Sequence, residues 1–227
     1  MNRNNPSHHK KLALLGVGEV LELINDDVDS YGLQTSSTRI HFFESVGSIS
    51  KVADEIIYKL DPNEYDLFVA VDSNALNHAR LELYGRARMA GFHMVNLIHK
   101  SAQISNSVTL ADNIFIGPNV FLGPGSKISS NTFIGTYSLI DSNVTIASHC
   151  WIGAGSRVGS HTKIDCHVVL GDDTRIETFT EIEHHVLIEQ IGPWKGKWLA
   201  GTYLEKSSAN SATTAGPSYS YSRKQVI

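Results

Sequence analysis

The sequence predicts two joined parts, a small α/β domain with a parallel sheet followed by a parallel β-helix of hexapeptide repeats. Three observations predict it. Sixteen aliphatic residues recur at every sixth position from Ile98 to Ile188 without a break. A second column of small or β-branched residues follows four positions behind the first. Ahead of both columns, strand-like and helix-like segments alternate over about 90 residues, the pattern of a parallel sheet with crossover helices.

The first column reads Ile98, Ile104, Leu110, Ile116, Leu122, Ile128, Ile134, Ile140, Ile146, Ile152, Val158, Ile164, Leu170, Ile176, Ile182, Ile188. Neither the helical period of about 3.6 nor strand alternation explains it. A fixed period of six makes each hexad one short strand and one corner, and three hexads one triangular coil. Coils stack at the strand spacing of about 4.8 Å, so residues eighteen apart lie one above another. The second column, from Ala102 and Val108 through Val144 and Cys150 to Val186, is expected to point inward with the first. Directly after the aliphatics stand Gly117, Gly123, Gly135, Gly153, Gly159 and Gly171, or Asp141, Asp165, Glu177 and Glu183. Their chemistry suits a tight corner.

In the first part, residues 11–16 (KLALLG), 39–43 (RIHFF), 65–71 (YDLFVAV) and 93–97 (HMVNL) read as strands. Residues 19–24, 52–60 and 74–89 read as helices, the last with Ala79, Leu81, Leu83, Tyr84 and Met89 available for burial. The organisation expected is a disordered leader 1–10, a Rossmann-like domain 11–97, a β-helix domain 98–206 whose coils end near 191 and are followed by an extension, and a disordered Ser/Thr/Ala-rich tail 207–227.

The net charge of -4, with basic residues scattered, argues against a nucleic-acid partner. No apolar run approaches the roughly 18 residues of a membrane span, and the polar start MNRNNPSHHKK lacks the apolar region of a secretory signal. Cys150 falls in the inward column and Cys166 outside it, so the two are not placed to pair, which suits a cytoplasmic protein.

Gly16-Val17-Gly18 lies between a strand and a helix, where helix N-terminal amides attract anions. The third glycine of the dinucleotide fingerprint is missing, which points to a nucleotide-sugar diphosphate or to a simple tight turn. His149, His167 and His185 are eighteen apart and predict a vertical ladder on one outer face, with His184 beside its last rung. The ladder reads as a polar packing strip at a subunit interface, as a general base near a groove, or as a metal site between subunits. Trp151, Val169 and Leu187 form an apolar ladder that predicts a face buried against a neighbouring copy, hence a homotrimer.

A GxG-bearing α/β domain, the stretch VNLIHKSAQIS and the unbroken hexads together resemble the bacterial sugar acyltransferases with hexapeptide repeats, the group of sialic acid O-acetyltransferases and UDP-4-amino-sugar (bacillosamine-type) N-acetyltransferases. The resemblance covers about residues 11–204, including KWLAGTY at 197–203. It implies a left-handed β-helix, a homotrimer, acyl-CoA in the groove between neighbouring helices, and a sugar nucleotide at the N-terminal domain. Carried over by position, Gly16, Gly18 and Glu19 match the family's phosphate loop, Glu44 an acidic nucleoside contact, and Ser73 and Asn74 a polar loop near the nucleotide. Gly153, Gly159 and Gly171 fall where backbone lines the CoA groove, and Trp151 is expected to cover it.

One departure bears on the chemistry. Where the family carries an aliphatic-Glu-His-polar stretch holding the catalytic base, this chain reads Ile140-Asp141-Ser142-Asn143. Serine cannot accept a proton near neutral pH as imidazole can. A literal Ile182-Glu183-His184-His185 occurs two coils and one hexad later, on a different side of the prism. The reading is therefore an acetyl-CoA-dependent N-acyltransferase of a nucleotide-linked amino sugar serving surface glycan synthesis, without a metal. Asp141 and Ser142 mark the catalytic corner, and His149 is the leading candidate for a relocated base. Sugar O-acetylation, a non-catalytic trimeric β-helix that binds nucleotide sugar or CoA, and a zinc enzyme built on the histidine ladder are the alternatives.

Overall fold

The computed structural model describes residues 10–33, 38–42, 49–206 and 213–214. The N-terminal part is a parallel sheet of β1 (Lys11–Val17), β2 (Thr38–Phe42) and β3 (Tyr65–Val71) in the order β2-β1-β3. Helices α1 (Glu19–Asp26), α2 (Ile49–Ile57) and α3 (His78–Met89) connect or follow them. Side chains alternate across the sheet. Leu12, Leu14, Phe68 and Ala70 pack with Leu21 and Ile24 of α1, while Ala13, Leu15, Leu67 and Val69 pack with Ile57 of α2 and Leu83 and Ala87 of α3. The fourth expected strand shrinks to one bridge, Leu67 to Met94, because the chain turns at once into the first hexad strand, Leu97–Ile98.

From Leu97 onward the chain is a left-handed parallel β-helix of two-residue strands on three faces, each pairing with the strand eighteen residues away. The first face carries Phe115–Ile116, Phe133–Ile134, Trp151–Ile152, Val169–Leu170 and Leu187–Ile188. The second includes Leu139–Ile140 and Arg157–Val158, and the third Thr145–Ile146 and Lys163–Ile164. Ile116 through Ile188 of the aliphatic column are buried; Ile98, Ile104 and Leu110 are half-buried because their coil ends the prism. The smaller column points inward too, and its hydroxyls are satisfied. Ser126, Ser138 and Ser156 each donate to a corner carbonyl fifteen residues on, at 2.8–2.9 Å. A buried hydroxyl without such a partner would cost about 1–3 kcal/mol.

The corner glycines act by close stacking. A Cβ on Gly135 would lie 2.6 Å from the Ala154 nitrogen, and one on Gly153 would lie 2.5 Å from the Gly171 carbonyl carbon. The left-handed backbone that the corner needs falls two residues later, at Asn113, Asn131, Tyr137, Asn143, His149, His161, His167, Asp173, Phe179 and His185, with φ between 52° and 64°. Asparagine and histidine are enriched in that conformation, whereas a bulky aromatic there is an outlier.

Three expectations are corrected. The residues beyond 191 continue the prism as another coil. Lys197–Trp198 pairs with Glu181–Ile182, and Thr202–Leu204 pairs with Leu187–Ile188, a spacing of sixteen instead of eighteen that breaks the hexad count. Within the tail expected to lack structure, Thr213–Thr214 pairs antiparallel with Thr202–Tyr203. The long helix expected over 74–89 begins only at His78, because Leu76 and Asn77 are left-handed, and Met89 is 80% exposed.

Gly135→Ala should therefore destabilise the protein by about 1–3 kcal/mol through overpacking between corners. Gly85→Ala, in α3 where a Cβ meets nothing within 4 Å, should stabilise by about 0.5–1 kcal/mol. Thermal midpoints that move down for the first and up for the second, by about 2–4 °C per kcal/mol, check the pair.

Candidate functional site

The first side of the prism and the corner that leads into it are taken up by the N-terminal part. On the first face, Phe115 and Phe133 stack at 4.7 Å, Phe133 and Trp151 at 3.8 Å, and this column joins the core formed by Tyr31, Val28 and Leu21. The Arg80 guanidinium sits 5.7 Å from the Trp151 ring. The face assigned to a neighbouring copy is thus covered in good part by the chain's own N-terminal residues, because Phe115 and Phe133 present apolar rings beside Trp151.

The histidine ladder is internal as well. It belongs to a five-rung corner column, Asn113, Asn131, His149, His167 and His185. Asn113 caps β3 sideways, its Oδ1 accepting the Val69 N–H at 2.8 Å, and donates to Asn131 Oδ1 at 2.7 Å. Asn131 Nδ2 lies 2.9 Å from His149 Nδ1, so that nitrogen accepts and the other ring nitrogen carries the proton. His149, His167 and His185 then stack at 5.0 and 4.8 Å. The start of α3 lies against them. His167 Nδ1 donates to the Leu76 carbonyl at 3.2 Å, Asn77 Nδ2 to the His149 carbonyl at 2.8 Å, and His78 stacks on His167 at 4.9 Å. Buried Arg80 donates to the Asn131 and Cys150 carbonyls. Burial lowers the guanidinium to about 10, which leaves it charged at neutral pH. These docking contacts are why the helix breaks at Leu76 and Asn77.

Burial, with His167 and Arg80 nearby, pushes the His149 imidazole down to about 3. Burial and His167 bring His185 to about 4, and His167 is lowered mainly by burial. A base so weak is nearly useless for proton transfer near pH 7. His149, expected as the relocated base, lies under the start of α3, one strand and one corner away from Ser142. Among the described residues, His78, His167 and His185 hold nitrogens within 4.8 Å of one another and could approach a cation. Their rings are near-parallel, 14–26° apart, so the in-plane lone pairs run side by side instead of converging. That is a packing geometry.

The corner at 141–144 and 159–162 is open. The Ser142 N–H donates to Asp141 Oδ1 at 2.7 Å, and the Ser142 and Ser160 hydroxyls are 3.2 Å apart. The Ser160 hydroxyl and the Ser142 amide hold the Asp141 carboxyl below the usual carboxylate range. Gly159 stacks over Asp141 in this corner column, while Gly153 and Gly171 stack with Gly135 at a different corner. The glycines assigned to one groove therefore divide between two corners. Beside Asn143 lies a groove of about 290 Å3 lined by Asn143, Thr145, His161, Lys163, Phe179 and Glu181. His161 was not among the expected site residues; eighteen-residue counting from Asn143, next to Ser142, would have found it.

At the sheet's C-terminal edge, Gly16, Gly18, Glu19 and Ser73 do converge. The amides expected to hold phosphate are already engaged: Glu19 and Val20 N–H donate to the Asp72 carboxylate at 3.0 and 3.2 Å. Gly16 is required by packing, since a Cβ there would lie 1.7 Å from the Ala70 oxygen, and Gly18 has φ of 103°. Glu44 and the Asn74 side chain lie outside the described residues.

The ladder sets a pH dependence. A histidine whose folded value is depressed binds its proton only when unfolded, so stability is complete above the unfolded value near 6.5 and falls as pH drops below it. Each ladder histidine contributes a slope of up to about 1.4 kcal/mol per pH unit there. Thermal midpoints should be flat above pH 7 and fall from pH 6.5 to 5, above the range where carboxylates titrate. His149→Asn, which keeps the left-handed corner, should flatten that fall.

The family described as GMPPB C-terminal domain matches residues 93–193. No curated protein matches the chain. Among solved structures, PerB from Caulobacter crescentus, in complex with CoA and GDP-perosamine, is similar at 18% identity with a TM-score of 0.71, over 91% of this chain and 97% of that one. The acetyltransferase domain of PglB from Neisseria gonorrhoeae, in complex with acetyl coenzyme A, is similar at 16% identity with a TM-score of 0.60, over 85% and 95%. The chain thus has the fold of these acetyltransferases, an α/β domain seated on a left-handed β-helix of hexapeptide repeats.

Proposed function

We propose that the protein is an acetyl-CoA-dependent N-acyltransferase acting on the amine of a nucleotide-linked amino sugar in glycan synthesis. The observation that carries this reading is the likeness over nine-tenths of the chain to a protein solved with both CoA and a nucleotide-linked amino sugar, which spans both halves of the molecule. The sugar nucleotide binds at the C-terminal edge of β1 and β3, near Gly18 and Ser73. CoA lies along the β-helix, with its thioester at the 141–144 corner. The groove is completed by a neighbouring copy in a homotrimer, placed against the second face and its corner, since the N-terminal part occupies the first. No helix among the described residues is long and apolar enough to cross a membrane, and the enzyme works on dissolved substrates in the cytoplasm.

An amine suits this corner better than a hydroxyl. As a free base it attacks the thioester carbonyl without prior deprotonation, so replacement of the family histidine by Ser142 costs less than it would in O-transfer. Positioning of two substrates can exceed the typical 10²–10⁴-fold worth of a general base. The same Ser142 is the observation that favours the second reading, a trimeric β-helix that binds these ligands without turnover.

Incubation with acetyl-CoA and a panel of amino-sugar nucleotides should give an N-acetylated product by mass spectrometry, and light scattering should give three times the monomer mass. CoA binding without product on any amino sugar would favour the non-catalytic reading. Because Asp72 competes for the α1 amides, Asp72→Asn should tighten binding of a nucleoside diphosphate by about three- to tenfold. Calorimetry that shows weaker binding would assign Asp72 itself to the ligand.

A further inference from the structure

We propose that His161 is the general base of this enzyme, taking over from the neighbouring coil the role that Ser142 cannot fill; this rests on the acyltransferase reading. His161 stands eighteen residues above Asn143 in the same corner column, and its backbone N–H donates to the Ser142 carbonyl at 3.1 Å. Its side chain is exposed and lines the groove beside Asn143 and Thr145. It therefore leaves the same corner as Ser142, displaced by one coil and one position.

Two features prepare the ring. Phe179, one coil further on, stacks on it with centroids 4.9 Å apart and planes 5° apart. Phe179 is itself 71% exposed and left-handed at φ 57°. A bulky aromatic in that conformation is an outlier. Here it fixes the plane of the imidazole. Below lies the Asp141 carboxylate, held by Ser142 and Ser160 and within the electrostatic reach of His161. The other charged groups lining the groove are the Lys163–Glu181 pair, 3.1 Å apart, and Arg157 acts on Asp141.

In the step so catalysed, the sugar amine nitrogen bonds to the thioester carbonyl carbon. The proton leaving nitrogen passes to an imidazole nitrogen of His161. The C–S bond then breaks, and the departing CoA sulfur takes that proton, so His161 ends neutral and an amide and CoA thiol are formed. The ladder histidines stand at another corner, against the start of α3.

The test is the pH profile of kcat for wild type, His161→Asn and His161→Gln. Asparagine is at home in a left-handed corner, and the ring is exposed, so both variants should fold; their thermal midpoints check this. His161→Asn should lower kcat by about 10²-fold or more with the KM for acetyl-CoA within about threefold. The acid limb of the profile, which reports protonation of the base, should vanish. An active wild type whose kcat changes less than threefold in both variants, with the acid limb intact, overturns the role of His161 and leaves the acyltransferase reading standing. A wild type that binds CoA but transfers to no amino sugar overturns both.

Discussion

The corner column from Asn113 to His185 is the contact on which the arrangement of the molecule depends. Asn113 extends β3 by bonding both polar groups of Val69, Asn131 transmits the chain of bonds to His149, and the stacked imidazoles receive the start of α3. Every member needs a left-handed backbone and a short or planar polar side chain, and only a few residue types satisfy both conditions. Hydrogen bonds join Asn113, Asn131 and His149, the condition for burying polar groups at low cost, and the upper rungs stack ring on ring. Arg80 extends it, placing a charge under Trp151 and on two corner carbonyls.

The geometry of the prism was legible in the residues because its environment repeats. Ile146 meets the same surroundings as Ile128 and Ile164, so each column keeps one chemistry, and the period announces both burial and stacking. The small column was legible for the same reason; that Ser126, Ser138 and Ser156 reach carbonyls fifteen residues on was not. Which sides of the prism are free was not legible. Trp151 read as outward-facing in its hexad, as it is, but outward here means toward Arg80 and the core that holds Tyr31. A periodic pattern says that a side chain leaves the coil and says nothing of what covers it.

Local signals failed where tertiary contacts overrode them. Residues 74–89 carry helical propensity throughout, yet Leu76 and Asn77 turn left-handed to reach His167 and His149, and the carbonyl and amide so presented are worth more than two further residues of helix. The glycines after the aliphatics suggested a tight corner; what requires them is the approach of one corner to the next within the distance a methyl would occupy. The final coil escaped notice because its spacing is sixteen. Its strands still pair, and Trp194 and Trp198, edge to face at 5.4 Å, close the core beside Ile176 and Ile182.

The three corners have consequently divided their tasks, and the histidines cannot be treated as one set. Rings in the third corner are screened from water, crowded by one another and kept neutral, which suits structure and defeats catalysis. At the second corner, Asp141, Ser142, Ser160 and His161 form an ordered array of carboxylate, hydroxyls and imidazole that faces a groove. Nothing in the type of residue distinguishes His149 from His161, since both stand three places after an aliphatic and both are left-handed. The difference lies in which corner α3 covers. Moving a base by one coil along the axis leaves the corner geometry intact, because every coil repeats it, whereas moving it around the prism takes it into the docked domain. A repeat fold can therefore lose a catalytic histidine at one level and supply another at the next, provided the replacement stays in the open column.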